Sequence, residues 1–268
     1  LFHIQNIQGH IHTIPLVMRS DSISSLFAKY FQVVLADSAA LRDEVYRIRY
    51  EVYCREFGYE RADEFPDGME RDEFDGDRSR YCMLMHRETG MYAGCVRLVL
   101  NDTGKSVSRL PFENAFDGHL IQGRVDSILK QRHLVGEISR LAVPSGFRRR
   151  NGDSESPIGA LTHRHVGNTE MRCIPHLPVG LYKAAAALVL ERNMDGAFAI
   201  MDPRLVRHMK RVGIVFEPVG DTLDYHGKRA PYFIHKRDLY RHLKPPIRSL
   251  LDVIMGDISS CHLKAGAL

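Results

Sequence analysis

Two periods of apolar residues alternate along this 268-residue chain, and the places where one gives way to the other mark its elements. From Ser22 a short helical pattern runs to about Lys29, followed by Tyr30–Ala36, YFQVVLA, which is aromatic and β-branched as a strand requires. Asp37 and Ser38 give a helix N-cap signal; Leu41, Val45, Ile48, Val52 and Tyr53 then recur at helical spacing until Gly58 stops the helix. That spacing sends one face to a core and leaves Arg42, Arg49 and Glu56 on other parts of the wheel. Residues 60–80 are charged, contain two glycines and lack a period, which predicts a long surface loop of the kind that carries function. Tyr81–Leu100 reads as a hairpin turning at Glu88-Thr89-Gly90, with Arg97 inside its second strand.

A weak helical pattern at about 126–131 leads to Val135–Val143, VGEISRLAV, strand-like at both ends but with Glu137 and Arg140 in the middle. In an ideal strand Glu137, Ser139, Leu141 and Val143 share one face, and Ile138, Arg140 and Ala142 the other. For the acid and the arginine to serve one site, the strand must be bulged between Glu137 and Val143.

Residues 144–175 are polar and without period. Beyond them, 177–193 is a helix of strong formers, 196–201 a buried strand, and 203–213 a helix with Pro203 in its first turn and Gly213 at its end. Strands are expected at 214–220 and 230–236 with a connection between them. Alternating units of this kind argue for one mixed α/β sheet.

Residues 1–21 have neither an amphipathic period nor a signal-peptide layout and are expected to form an arm or a non-native extension. Residues 22–244 then form one domain. Residues 245–268 form a helical tail with Ile247, Leu250, Leu251 and Ile254 at helical spacing, packed on that domain or touching a membrane surface.

Charge and cysteine content narrow the function classes. A formal net charge of +4, from 37 basic and 33 acidic residues, does not point to nucleic acid. The five cysteines are scattered singly without a CxxC pair, which predicts reduced thiols and a cytoplasmic protein. The longest apolar run, Ala184–Leu190, is far shorter than the roughly 20 residues of a spanning helix. No metal is expected. Counted from Asp72 and from Asp75, the twelfth position of a calcium loop falls on Met83 and His86, where Glu is required. His163, His165, Cys173 and His176 fit no common zinc spacing.

The order strand, long helix, acidic loop, hairpin, Glu/Arg strand, helix, strand, helix, strand is similar to that of the GNAT acyltransferases. Within it, RYEVYCREFGY (49–59), DEFD (72–75), VRL (96–98) and EISR (137–140) resemble the pattern of the acyl-homoserine lactone synthases and the related N-acyl amino acid synthases, including the exosortase-associated acyltransferases. The positions that carry the resemblance are Arg49, Tyr53, Tyr59, Asp72, Asp75, Arg97, Glu137 and Arg140, within about residues 35–145. Lactone synthases usually hold Trp where Tyr59 stands, and this chain has no Trp. That departure, with the extra length after the Glu/Arg strand and at the C-terminus, leans toward the N-acyl amino acid synthases.

The resemblance implies a single GNAT-like α/β domain whose central mixed sheet is splayed and flanked by helices. It also implies transfer of a long-chain fatty acyl group to the amine of an amino acid. Glu137 and Arg140 would be catalytic, with Glu137 the general base, directly or through one water. The bland alternative for Glu137 is a structural ion pair. Arg49, Arg97 and Arg140 would clamp Asp72 and Asp75 or receive an acceptor carboxylate. Tyr53, Tyr59, Ser139 and Val143 would line or organise the site.

The segment PSGFRRRNGDSE after the Glu/Arg strand lacks the second glycine of the pyrophosphate loop of CoA-dependent relatives, which disfavours acyl-CoA. The expected donor is acyl-phosphopantetheine on acyl carrier protein, docked by Arg148, Arg149 and Arg150, with no tightly bound cofactor. Two rival readings stay open: a lactone synthase that uses S-adenosylmethionine, and a non-catalytic module that binds acyl groups or the carrier protein.

Overall fold

A computed structural model describes residues 2–5, 11–14, 22–101, 108–147, 173–211 and 213–265. Strands β1 (Phe2–Gln5) and β2 (Ile11–Ile14) pair only with each other. Ser22 caps α1 (Ile23–Tyr30) by accepting the Ser25 N–H at 3.1 Å, and β3 (Phe31–Leu35) buries alternate residues. Helix α2 (Ala39–Arg49) starts on the Ser38 hydroxyl, which accepts the Leu41 N–H. It runs into a wider π turn at Tyr50–Glu56, where the Phe57 N–H reaches the Val52 carbonyl at 3.0 Å, and ends at Gly58 with φ +60°.

The hairpin is β4 (Ser79–His86) and β5 (Tyr92–Leu100). Two short helices, α3 (Pro111–Ala115) and α4 (Gln122–Ile128), precede β6 (Val135–Ala142). Then come α5 (Leu177–Glu191), β7 (Gly196–Met201), α6 (Pro203–Arg211), β8 (Glu217–Pro218), β9 (Leu223–Asp224), β10 (Lys228–His235) and α7 (Pro245–Ala265).

The main sheet runs β3-β4-β5-β6-β7-β10-β8, with β9 against β10; β6 and β7 are parallel and the other pairs antiparallel. It is a mixed sheet between helices, as the alternation of periods predicts. One face carries α1, α5 and α7 over Leu84, Val96, Leu98 and Ile138. The other carries α2 over Tyr81, Met83, Cys95 and Ala142, and α3 over Val99, Val135 and Phe198.

Several expectations are corrected. Only Glu217–Pro218 of 214–220 enters the sheet, and the connection after it contains β9. The helix expected at 126–131 is α4, set four residues earlier and followed by a 3-10 turn at Leu129–Leu134; α3 is too short to leave a period. The apolar stripe of α7 is filled by protein: Ile247, Leu250, Leu251 and Ile254 are buried in the core with α1, β3 and α5, so that face is not presented to a membrane. No helix among the described residues is long and apolar enough to cross a membrane.

Candidate active site

Glu137 is placed by its strand. It lies opposite Val99 of β5 and Phe198 of β7, on the face that carries α3, and is 1% exposed among Val99, Phe112, Val135 and Phe198. The short helix α3 holds its carboxylate: the Phe112 N–H, free of any intrahelical partner so near the helix start, donates to Oε2 at 2.7 Å. Helix α3 is itself braced by Glu113, whose carboxylate accepts the Leu110 N–H at 2.8 Å and the Arg132 guanidinium at 2.5 Å. Burial pushes the Glu137 carboxyl up to about 8, against the opposing pull of the Phe112 N–H, Arg97 and Arg140. Among the described residues Glu137 makes no ion pair.

β6 is bulged where the sequence required a break in the pleat. Arg97 pairs with Ser139 but Cys95 with Ala142, so two steps on β5 match three on β6. The extra residue bends through Arg140, a non-glycine at φ +50°. The bulge brings Ala142 to the Glu137 and Ser139 face and swings Arg140 towards the acidic loop. The Tyr53 hydroxyl holds the bulge by donating to the Leu141 carbonyl at 2.7 Å, and its ring lies under the Arg140 guanidinium at 5.5 Å. Just before the bulge the sheet opens, because β6 and β7 pair only as far as Ile138 and Ala199 although both strands continue.

Gly94 of β5 makes the close approach feasible. A Cβ there would stand 2.6 Å from the Ala142 carbonyl oxygen and 3.2 Å from Val143, which is itself buried. Gly94→Ala should therefore cost about 1–3 kcal/mol in urea unfolding and disturb the bulged end of β6.

Three arginines and the acidic loop interlock. Arg97 grips Asp72 with two nitrogens at 2.6 and 3.0 Å, reaches Asp75 at 2.9 Å and donates Nε to Ser139 at 3.1 Å. Arg49 binds Glu70 at 2.5 Å and Asp75 at 2.8 Å. Arg140 sits within 3.1–3.3 Å of Glu60, Asp72 and Glu70. The loop braces itself as well: Asp72 accepts the Phe74 N–H at 2.9 Å, and Asp75 accepts the Asp72 N–H and the Tyr81 hydroxyl, both at 2.8 Å. Burial would raise the Asp75 carboxyl, but Arg49 and Arg97 outweigh it and hold the group well below the usual carboxylate range.

Two expectations change here. Arg49, off the apolar stripe of the helix wheel, is nevertheless fully buried, because Glu70 and Asp75 give its charge partners inside the protein. The loop 60–80 is not wholly at the surface either, since Glu70 and Phe74 are buried. Glu60 and Glu70 escaped notice because the loop is so rich in acids that sequence alone does not single them out. The guanidiniums of Arg97 and Arg49 are engaged mainly by the protein's own carboxylates, which leaves them little capacity for the carboxylate of an acceptor.

Tyr59 lies at the end of the π turn, its ring stacked on Phe57 at 5.0 Å and on Tyr53 at 6.4 Å. Arg148, Arg149, Arg150, His163 and His165 lie outside the described residues, while Cys173 and His176 are buried just before α5.

A bulged and splayed central strand pair, with a buried acid at the point of opening, is the geometry against which known proteins can be compared. Residues 48–154 match the acetyltransferase (GNAT) domain family. That match agrees with the mixed α/β sheet flanked by helices. No curated protein sequence matches it. Among solved structures, TofI, determined with an inhibitor and MTA, superimposes with a TM-score of 0.55 at 18% identity, over 84% of this chain and 99% of TofI. LasI, described as an AHL synthase, gives a TM-score of 0.52 at 16% identity, over 80% of this chain and 97% of its own. MesI, described as a CoA-dependent acyl-homoserine lactone synthase, gives 0.51 at 15% identity, over 84% and 95%. At these identities the likeness is one of fold, and it extends past residues 48–154 to most of the chain.

Proposed function

We propose that this GNAT domain moves a long-chain fatty acyl group from acyl carrier protein to the amine of an amino acid. The observation that carries the reading is Glu137, a buried carboxyl near 8 at the point where β6 and β7 part. Its proton affinity is raised far above that of an ordinary carboxylate and towards that of an amino-acid ammonium, so it can take that proton at a modest cost. The gap between the strands gives an extended phosphopantetheine arm a place to lie.

In this reading Glu137 takes a proton from the ammonium, directly or through one water. The freed amine attacks the thioester carbonyl, the C–N bond forms, the C–S bond breaks, the thiolate leaves as phosphopantetheine thiol with the proton that Glu137 returns, and the second proton of the attacking nitrogen passes to the vacated Glu137 carboxylate and on to solvent. The Arg97–Asp72–Arg140 network is a positioning device that fixes the acidic loop against the bulge. Arg148, Arg149 and Arg150, directly after the strand and its short turn, are the carrier-protein docking residues. The missing second glycine after β6 supports the carrier protein over CoA as donor, and the absence of Trp at Tyr59 supports an amino acid over S-adenosylmethionine as acceptor.

Mass spectrometry of lipid extracts from an expressing host tests the reading. A free N-acyl amino acid is expected; an N-acyl homoserine lactone would transfer the acceptor assignment to S-adenosylmethionine. With purified protein, thiol release from carrier-protein thioester should exceed release from the matching acyl-CoA. No thiol release with any amine would favour a binding module.

A further inference from the structure

Basic residues are unevenly spread over the chain. Residues 207–211 and 236–248 hold eight of its 37 lysines and arginines but one of its 33 acids, so the rest of the chain is net negative. The fold brings the two spans together. The chain leaves α6 through Gly213, where a Cβ would stand 1.7 Å from the His242 carbonyl oxygen, and Met209, Leu239, Leu243 and Ile247 are buried in one cluster beneath the two spans. Arg207, Lys210 and Arg211 are exposed on one side of α6, and Arg241 and Lys244 are exposed on either side of the His242–Leu243 contact. The acids nearby are engaged elsewhere: Asp202 pairs with Arg204, Asp238 with Arg237 and His242, and Asp252 accepts the Tyr240 hydroxyl at 3.2 Å. Tyr240 is 38% exposed, with the Arg248 guanidinium over its ring at 4.7 Å.

The helix dipole accounts for Lys210 and Arg211 in the last turn of α6. It does not account for the rest, because Arg207 and Arg211 repel one another at i, i+4 and the cations at 241 and 244 add to that repulsion from outside the helix. A surface of one sign, kept without carboxylates to offset it, suits a polyanion. Its place in the fold says which kind. Lys236 directly follows β10, and its N–H donates to the Asp195 carbonyl at 2.8 Å, beside the start of β7 where β6 and β7 are still paired. Those strands part at the other end, beyond Ile138 and Ala199. A carrier protein seated on this patch would hold its arm at the closed end of the strand pair. An exposed tyrosine among long basic side chains is instead the composition that settles at the headgroup level of a bilayer.

We infer that the face formed by the end of α6 and residues 240–248 docks the protein on an anionic lipid surface. Arg207, Lys210, Arg211, Arg241 and Lys244 meet the lipid phosphates, and Tyr240 lies at the headgroup level. The contact does not depend on the acyl-transfer reading, and it leaves the gap between β6 and β7 free for a thioester. It also differs from a contact through α7, whose apolar stripe is filled by the core.

Vesicle flotation with the full chain tests this, comparing pure phosphatidylcholine with vesicles in which about a third of the lipid is phosphatidylglycerol. Binding is expected on the anionic vesicles alone, and it should fall at least tenfold between about 0.05 and about 0.5 M salt. The quadruple variant Arg207→Gln, Lys210→Gln, Arg211→Gln, Lys244→Gln should bind at least tenfold more weakly with an unchanged melting temperature, since all four side chains are exposed. The chain has no Trp, so Tyr240→Trp supplies a single reporter whose emission should shift to the blue on anionic vesicles. No binding by the wild type, equal binding by the quadruple variant, or an emission unmoved on vesicles that hold the protein would each overturn the inference. So would a quadruple variant that keeps vesicle binding but loses affinity for the carrier-protein thioester, which would give the patch to the carrier protein. None of the vesicle results depends on thiol release, so the acyl-transfer reading stands or falls separately.

Discussion

Glu137→Gln is expected to lower kcat for acyl transfer by about 10²–10⁴, the range for loss of a positioned general base, while the fold stays intact. The amide still accepts the Phe112 N–H that the carboxylate accepts at 2.7 Å, so the brace to α3 survives. The pH dependence identifies the proton. In the wild type the rate should rise as the carboxyl ionises around pH 8, and in the variant that limb should vanish. Stability should move in the opposite direction. A carboxyl raised from its ordinary range to about 8 holds a proton in the folded state that the unfolded chain has already lost, so its contribution is full below the unfolded pKa of about 4.3 and is lost as pH rises through 8. Wild type should therefore weaken between about pH 5 and 9 relative to Glu137→Gln, by up to a few kcal/mol in urea melts. An unchanged rate in the variant, or parallel stability profiles, would remove Glu137 from the reaction.

Most of the sheet was legible because its strands obey local rules. Val135–Ala142 and Gly196–Met201 match their expected spans within a residue, since alternation and β-branching act inside each segment. The elements that escaped are those decided by distant partners. Glu217–Pro218 has the composition of a longer strand but pairs only where β10 offers an edge. Helix α3 is five residues long and is held by Arg132 and Glu137, neither of them near it in sequence.

The site divides in the same way. Arg49, Asp72, Asp75, Arg97, Glu137 and Arg140 were singled out by the resemblance they carry, and a bulge was expected only on the premise that Glu137 and Arg140 serve one site. Burial could not be read. Arg49 lies off the apolar stripe of its helix, and only the folded acidic loop explains why it is buried. His226 lies in what reads as an ordinary polar turn, and no short-range signal ties its ring to that of Tyr59, on which it stacks, more than 160 residues earlier.

Arg97→Ala should be among the most destabilising single changes in the chain. Arg97 is 1% exposed and is shared by Asp72, Asp75 and Ser139, so truncation leaves two carboxylates close together with half their arginine partners gone. Removing one member of such a buried network costs about 3–5 kcal/mol, largely through the charges left unpaired. The cost should be partly recovered in Arg97→Ala/Asp72→Asn, with a coupling of about 0.5–3 kcal/mol in the double-mutant cycle by urea unfolding. Acid should mimic the lesion. Because Asp75 is held well below its ordinary range, its contribution is present above the unfolded value of about 3.9 and is lost as pH falls toward the folded one. The wild type should thus lose stability steeply below pH 4, and Asp75→Asn should flatten that limb while lowering stability at neutral pH. A network that only decorated the surface would give less than about 1 kcal/mol and no coupling. The larger figure would mean that the loop bearing Asp72 and Asp75 is fastened to the bulged strand as strongly as the core itself.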